Sequence, residues 1–212
     1  MKVIIPENLS EIKLKDYQKY LSIVEDNEGA DEFLALKMIE VFCHLKFNEV
    51  RQLPVKDVEE IVEILNKTFE SKRKFQRHFK VNDVEYGFIP DLENISMGEY
   101  IDINSYMGTD DMHKLMAVLY RPVTIHKKEL YDIEEYEGSD KYSDVMREAP
   151  LDIYLEAQVF FYRLAKELLN SSADFLEAMN LTTLEKQTLE VNGVGISQFT
   201  QSLRDVCSTS IV

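Results

Sequence analysis

Residues 150–170, PLDIYLEAQVFFYRLAKELLN, decide the fold class. At 3.6 residues per turn the run makes a helix of about five and a half turns, and Pro150 suits its first turn, where the missing N–H costs nothing. Asp152, Glu156, Arg163, Lys166, Glu167 and Asn170 gather on one arc of roughly 100°. Every other side chain except Gln158 is apolar, from Leu151 and Ile153 round to Leu168 and Leu169. Surface helices show the reverse proportion, an apolar stripe of about 100° or a little more. A rod this apolar must be covered on several sides, by the rest of the chain or by partner subunits. No catalytic group is evident on it.

The sequence before it supplies helices to do the covering. Residues 16–25 read as a short helix with Tyr17, Tyr20, Leu21 and Val24 inward, and residues 31–44 as a strong one in which Phe33, Leu34, Leu36, Met38, Ile39, Val41 and Phe42 cover a broad face. Leu53-Pro54 breaks the pattern. Residues 55–70 restart it with Val58, Ile61, Val62, Leu65 and Phe69 at helical spacing. Residues 79–89 predict a hairpin turning at Asn82-Asp83, with 1–5 as a third strand. Asp110 or Asp111 caps a helix through Tyr120 that Pro122 stops. Residues 124–142 read as charged and irregular, and 141–147 as a short helix. Past Asn170, short helices are expected at 173–179, 183–189 and 197–206, with a glycine-containing loop at 191–197 and a loose tail. The expected fold is mainly α: a helical bundle around the 150–170 helix, with a small β element at about 1–5 and 79–89.

One pattern recurs. Ile5-Pro6 through Tyr17 aligns with Ile89-Pro90 through Tyr100, and each copy leads through an acidic loop to an apolar helix. The physical reading is a strand, a turn fixed by proline, a short helix and a core helix, made twice. That divides a core of 1–170 into half-repeats of about 1–80 and 81–170, followed by a helical extension at 171–212. Chance similarity in a chain rich in Ile, Glu and Tyr is the other reading.

Composition narrows the function. The 212 residues carry 24 Lys+Arg against 39 Asp+Glu, a formal net charge of −15. Non-specific nucleic-acid binders show the opposite sign. Cys43 and Cys207, far apart, fit a reducing compartment rather than a disulfide scaffold. No apolar run reaches the roughly 18 residues of a membrane span, and the N-terminus turns acidic too early for a signal peptide.

The candidate sites are few. Lys72, Arg73, Lys74, Arg77 and Lys80, with Phe75 and Phe79 between them, are the only basic stretch. It reads as a phosphate- and base-contacting surface, as a surface docking an acidic partner, or as a solvated helix end complementing the preceding helix dipole; the net charge favours the last. His44, His78, His113 and His126 show no metal-ligand spacing. Cys43-His44 point in different directions on a helix, and the acids Glu129, Asp132, Glu134, Glu135 and Glu137 sit in a polar segment where their pKa values stay ordinary. Gly193-Val194-Gly195 lacks the third glycine and the strand of a dinucleotide site. No catalytic, cofactor or metal residues are therefore expected. Eleven Tyr, eleven Phe and eight Met suit adaptable packing surfaces.

Four segments carry a resemblance: KVIIPENLSEIKLKDYQKY (2–20), FIPDLENISMGEYIDINSYM (88–107), DDMHKLMAVLYRPVT (110–124) and APLDIYLEAQVFFYRLAKELL (149–169). Together they resemble small acidic proteins of tailed bacteriophages of Bacteroides-like hosts, the crAss-like phages among them. The resemblance implies a virion protein made in the host cytoplasm: a neck or tail component, or a cargo protein carried in the portal–tail lumen. Its partners would be portal, ring or tail subunits and copies of itself, without membrane. An assembly chaperone absent from the mature particle is the alternative. The resemblance implies no catalytic residues.

Overall fold

The structure, a computed structural model, describes residues 2–127 and 130–178. It is mainly helical, with a four-stranded antiparallel sheet in the order β1-β2-β3-β4. The helices are α1 (Leu14–Asp26), α2 (Asp31–Phe42), α3 (Phe47–Val50), α4 (Val55–Phe69), α5 (Met97–Tyr106), α6 (Met112–Leu119), α7 (Asp140–Met146) and α8 (Leu151–Ala178). The strands are β1 (His78–Val81), β2 (Val84–Phe88), β3 (Tyr120–Lys127) and β4 (Leu130–Ile133).

The expected helix at 150–170 is α8, and it continues without a break to Ala178; of the separate helix expected at 173–179, the described part, 173–178, is the end of α8. Its first eleven residues lie in the core, where Leu151, Ile153, Tyr154, Ala157 and Phe161 are buried. The rest of the chain supplies that cover. The start of α8 is stitched to the start of α1 by Leu14 N–H donating to Ala149 O and Leu151 N–H donating to Ile12 O, both at 2.9 Å. Phe160 stacks on Phe75 at 4.7 Å and meets Phe88 edge-on at 5.5 Å. The most enclosed helix is α6: seven of its eight residues are buried, so it sits at the centre that α1, α5, α7 and β3 surround.

The hairpin falls where expected. Asn82 and Asp83 both take positive φ, 50° and 63°, the left-handed pair that a two-residue hairpin turn requires and that Asn and Asp tolerate. The third strand does not come from the N-terminal segment, whose described residues 2–5 form no strand; Val3 and Ile5 instead line a groove beside α4. It comes from β3, and the segment expected to be irregular at 124–142 supplies the end of β3 and all of β4. The helix of α6 stops one residue before β3 begins, and Pro122 lies inside that strand. The alternation there is masked by a β-bulge between Val123 and Ile125, which puts residues out of the period-2 pattern.

The repeated segments both begin a helix at the aligned position, Leu14 in one and Met97 in the other. A strand precedes only the second copy. The environments also differ, since Leu14 is fully buried and Met97 is 71% exposed. The helices expected at 183–189 and 197–206, the 191–197 loop and the rest of the extension to 212 lie outside the described residues.

Candidate functional site

Helix α5 buries a carboxylate beside an apolar side chain, Glu99 with Ile103. Ser96 caps it and Glu99 reaches back to the Ser96 N–H at 2.7 Å, a capping box. Glu99 then turns inward. It is buried and pairs with the equally buried Arg121 at 2.7 Å. Arg121 also donates to Glu134 O at 2.7 Å and Val118 O at 3.0 Å, beneath the Tyr136 ring. Burial alone would raise the Glu99 pKa, but the Ser96 hydrogen bonds and Arg121 outweigh it and hold the carboxylate below its ordinary range. This charged pair fixes α5 against β3 with Glu99 and Ile103 facing in. Met97, Tyr100 and Ile101, at i, i+3 and i+4, therefore share the outward face, with Met97 and Ile101 71% and 53% exposed. Among the described residues nothing covers the Met97 and Ile101 side chains.

Two other apolar surfaces lie open. An open groove of about 550 Å³ has a floor of Val3, Ile5, Leu53, Ile61 and Ile64 and a rim bearing Glu49, Asp57 and Glu60, with Ile4 and Val55 exposed nearby along the chain. The β3–β4 hairpin displays Ile125 and Leu130.

The sheet brings together residues that sequence spacing kept apart. His78, Glu85 and His126 lie on three successive strands, their donor atoms within 4.8 Å of one another. The register explains it. His78 pairs with Gly87, two residues from Glu85, so both occupy one face. Val123 pairs with Ile133 and His126 with Tyr131; Tyr131 and Ile133 share a face, so the bulge sets His126 on the same side as Val123. Strict alternation would have turned it away. The Tyr131 ring lies edge-on to His78 at 4.2 Å, crossing β2 at Gly87, and its hydroxyl donates to Phe88 O at 2.7 Å. Burial lowers the His78 pKa; Glu85 opposes this, and His126 and Arg77 add to it. The histidines are 48 positions apart, and only the bulge, invisible to a pattern reading, aligns them.

The basic stretch is partly used internally. Arg73 donates to Phe69 O at the C-terminus of α4, at 3.2 Å, and approaches Glu156 of α8 at 3.4 Å, the helix-end role. Lys72, Lys74, Arg77 and Lys80 are exposed, but Phe75 is stacked on Phe160 and Phe79 is buried. No aromatic platform for bases remains among these residues. Cys43 is buried and its thiol pushed up to about 11 by burial, far from the thiolate a nucleophile needs, while His44 leaves the helix in the left-handed region toward Asp16, 3.8 Å away. Among the acids, Glu134 accepts from Tyr142 and Lys141 and Glu137 pairs with Lys141; Glu129 and the 193–195 glycines lie outside the described residues. Among the described residues no helix is long and apolar enough to cross a membrane.

Comparison of the chain with protein-family models, with curated proteins and with solved structures finds no match in any of the three.

Proposed function

We propose that this chain works by packing against other protein, as a structural protein of a tailed bacteriophage neck or tail, or as a cargo protein held in the portal–tail lumen. The observation that carries the packing role is the Met97–Tyr100–Ile101 face of α5, apolar and turned outward by the buried Glu99–Arg121 pair. Exposed aromatic and Met side chains at one surface are what protein interfaces are enriched in. The resemblance of the four quoted segments supplies the phage setting, and the net charge of −15 suits a protein that lines or occupies a DNA conduit without adhering to it. In this reading α5 contacts copies of the same chain and neighbouring ring or tail subunits. Mass spectrometry of purified particles and of infected cells tests the setting. A fixed copy number in mature particles is expected. Presence in cells but not in particles moves the protein to assembly chaperone, and absence from both rejects the phage reading.

A further inference from the structure

The outer face of the sheet gathers two imidazoles and a carboxylate. His78, Glu85 and His126 come from β1, β2 and β3, with donor atoms no more than 4.8 Å apart. The bulge in β3 is what puts the third on that face; bulges commonly re-aim a side chain next to a site. His78 Nε2 is buried without a hydrogen-bond partner among the described residues, and a buried polar atom left unpaired is costly. Glu85 and His126 stand 4.0 Å apart, Nε2 to Oε1, too far for a good hydrogen bond. Lys80, opposite Glu85 in the register, is not among its ion pairs.

We propose that His78, Glu85 and His126 bind a divalent first-row transition-metal ion, zinc(II) being the reference case. The donor set argues the class. Two imidazoles and one carboxylate suit Zn²⁺, Fe²⁺, Co²⁺ or Ni²⁺, whereas Ca²⁺ and Mg²⁺ take oxygen ligands. Bonds of about 2.0–2.2 Å place the donors of a tetrahedral ion about 3.3–3.5 Å apart. The ion therefore draws the three side chains inward by an ångström or so. Glu85 and His126, with 37% and 51% of their side chains exposed, have the freedom to move; His78 is held by the edge of Tyr131. Three protein ligands leave a fourth position open to solvent, as in sites that carry water or a ligand from another molecule. The ion would also tie three strands together, adding to stability by mass action.

The test uses the untagged full chain stripped of metal with chelator. Titration calorimetry with Zn²⁺ alone is expected to show one equivalent bound, with a rise in melting temperature, and Co²⁺ to develop the visible absorption of a tetrahedral nitrogen–oxygen site. Mg²⁺ and Ca²⁺ are expected to show neither. Glu85→Gln, at a half-buried position, and His126→Ala, at an exposed one, should each weaken Zn²⁺ binding by at least the roughly 10–100-fold that even outer-shell partners are worth, while His44→Ala leaves it unchanged. Circular dichroism of the stripped variants confirms folding. Zn²⁺ binding that is absent, or that Glu85→Gln and His126→Ala leave at wild-type affinity, overturns the site.

Discussion

Gly87 sets a limit that composition does not reveal. A Cβ there would stand 2.8 Å from Tyr131 Cε2, 3.0 Å from Val123 Cγ2 and 3.1 Å from Ile133 Cγ2. Tyr131 cannot swing aside freely, because its hydroxyl is bonded to Phe88 O. Gly87→Ala is expected to destabilise the chain by about 1–3 kcal/mol, the usual cost of overpacking, measured as a shift in urea midpoint. Glu99→Ala should do more. It leaves the Arg121 charge buried without its carboxylate, a loss of about 3–5 kcal/mol. An effect under about 1 kcal/mol, the level of a surface pair, would show that α5 is not pinned by this contact. Ser96-x-x-Glu99 has the spacing of a capping box, which by itself marks only a helix start. That the same carboxylate turns inward depends on Arg121, 22 positions away and in another element, and no local pattern encodes it.

At the level of elements, helices with strong periodicity were legible and the second half of the sheet was not. The spacing of Val58, Ile61, Val62, Leu65 and Phe69 marks α4 because its buried side is a clean stripe: Ile61 and Leu65 are buried, Val58, Val62 and Phe69 pack against them. Strands β3 and β4 escaped because a bulge breaks the alternation, a proline sits within β3, and β4 is four residues long. For the same reason the His78–Glu85–His126 grouping was hidden. Helix α6 carries a further consequence. His113, buried within it, faces two donors: the Gln18 amide nitrogen lies 3.0 Å from Nδ1 and the Arg147 guanidinium 3.0 Å from Nε2. A neutral ring accepts from one of them and an imidazolium from neither. Burial, and then Arg147, accordingly hold the pKa below its ordinary value. A histidine depressed in the folded state binds its proton more readily when unfolded. Its contribution is whole above about pH 6.5, the unfolded value, and is lost as pH falls through that value toward the folded one. Urea unfolding at about pH 7.5 and about pH 5.5 should therefore show a larger drop for wild type than for His113→Gln; equal drops would mean that His113 does not couple protonation to folding.

The molecule as a whole is acidic, encloses its most apolar helix, α6, within its own core, and leaves apolar side chains outside on α5, around the acid-rimmed groove and on the β3–β4 hairpin. The greasy 150–170 stretch pointed to cover from somewhere, and the chain itself covers its first turns. The apolar side chains left outside include Met97 and Ile101 of α5, a helix whose sequence, MGEYIDINSY, has no pronounced apolar stripe and enters the sequence reading only through the repeat and the resemblance. Which face of α5 is outside is a tertiary effect, set by the Glu99–Arg121 pair and the buried Ile103. Native mass spectrometry of the purified chain at moderate salt, with wild type beside a Met97→Asp/Ile101→Asp double variant, tests the central claim most directly. The account predicts assemblies of defined stoichiometry for the wild type and a folded monomer of unchanged melting temperature for the variant. A wild type that stays monomeric, or assemblies that survive both substitutions, would contradict it.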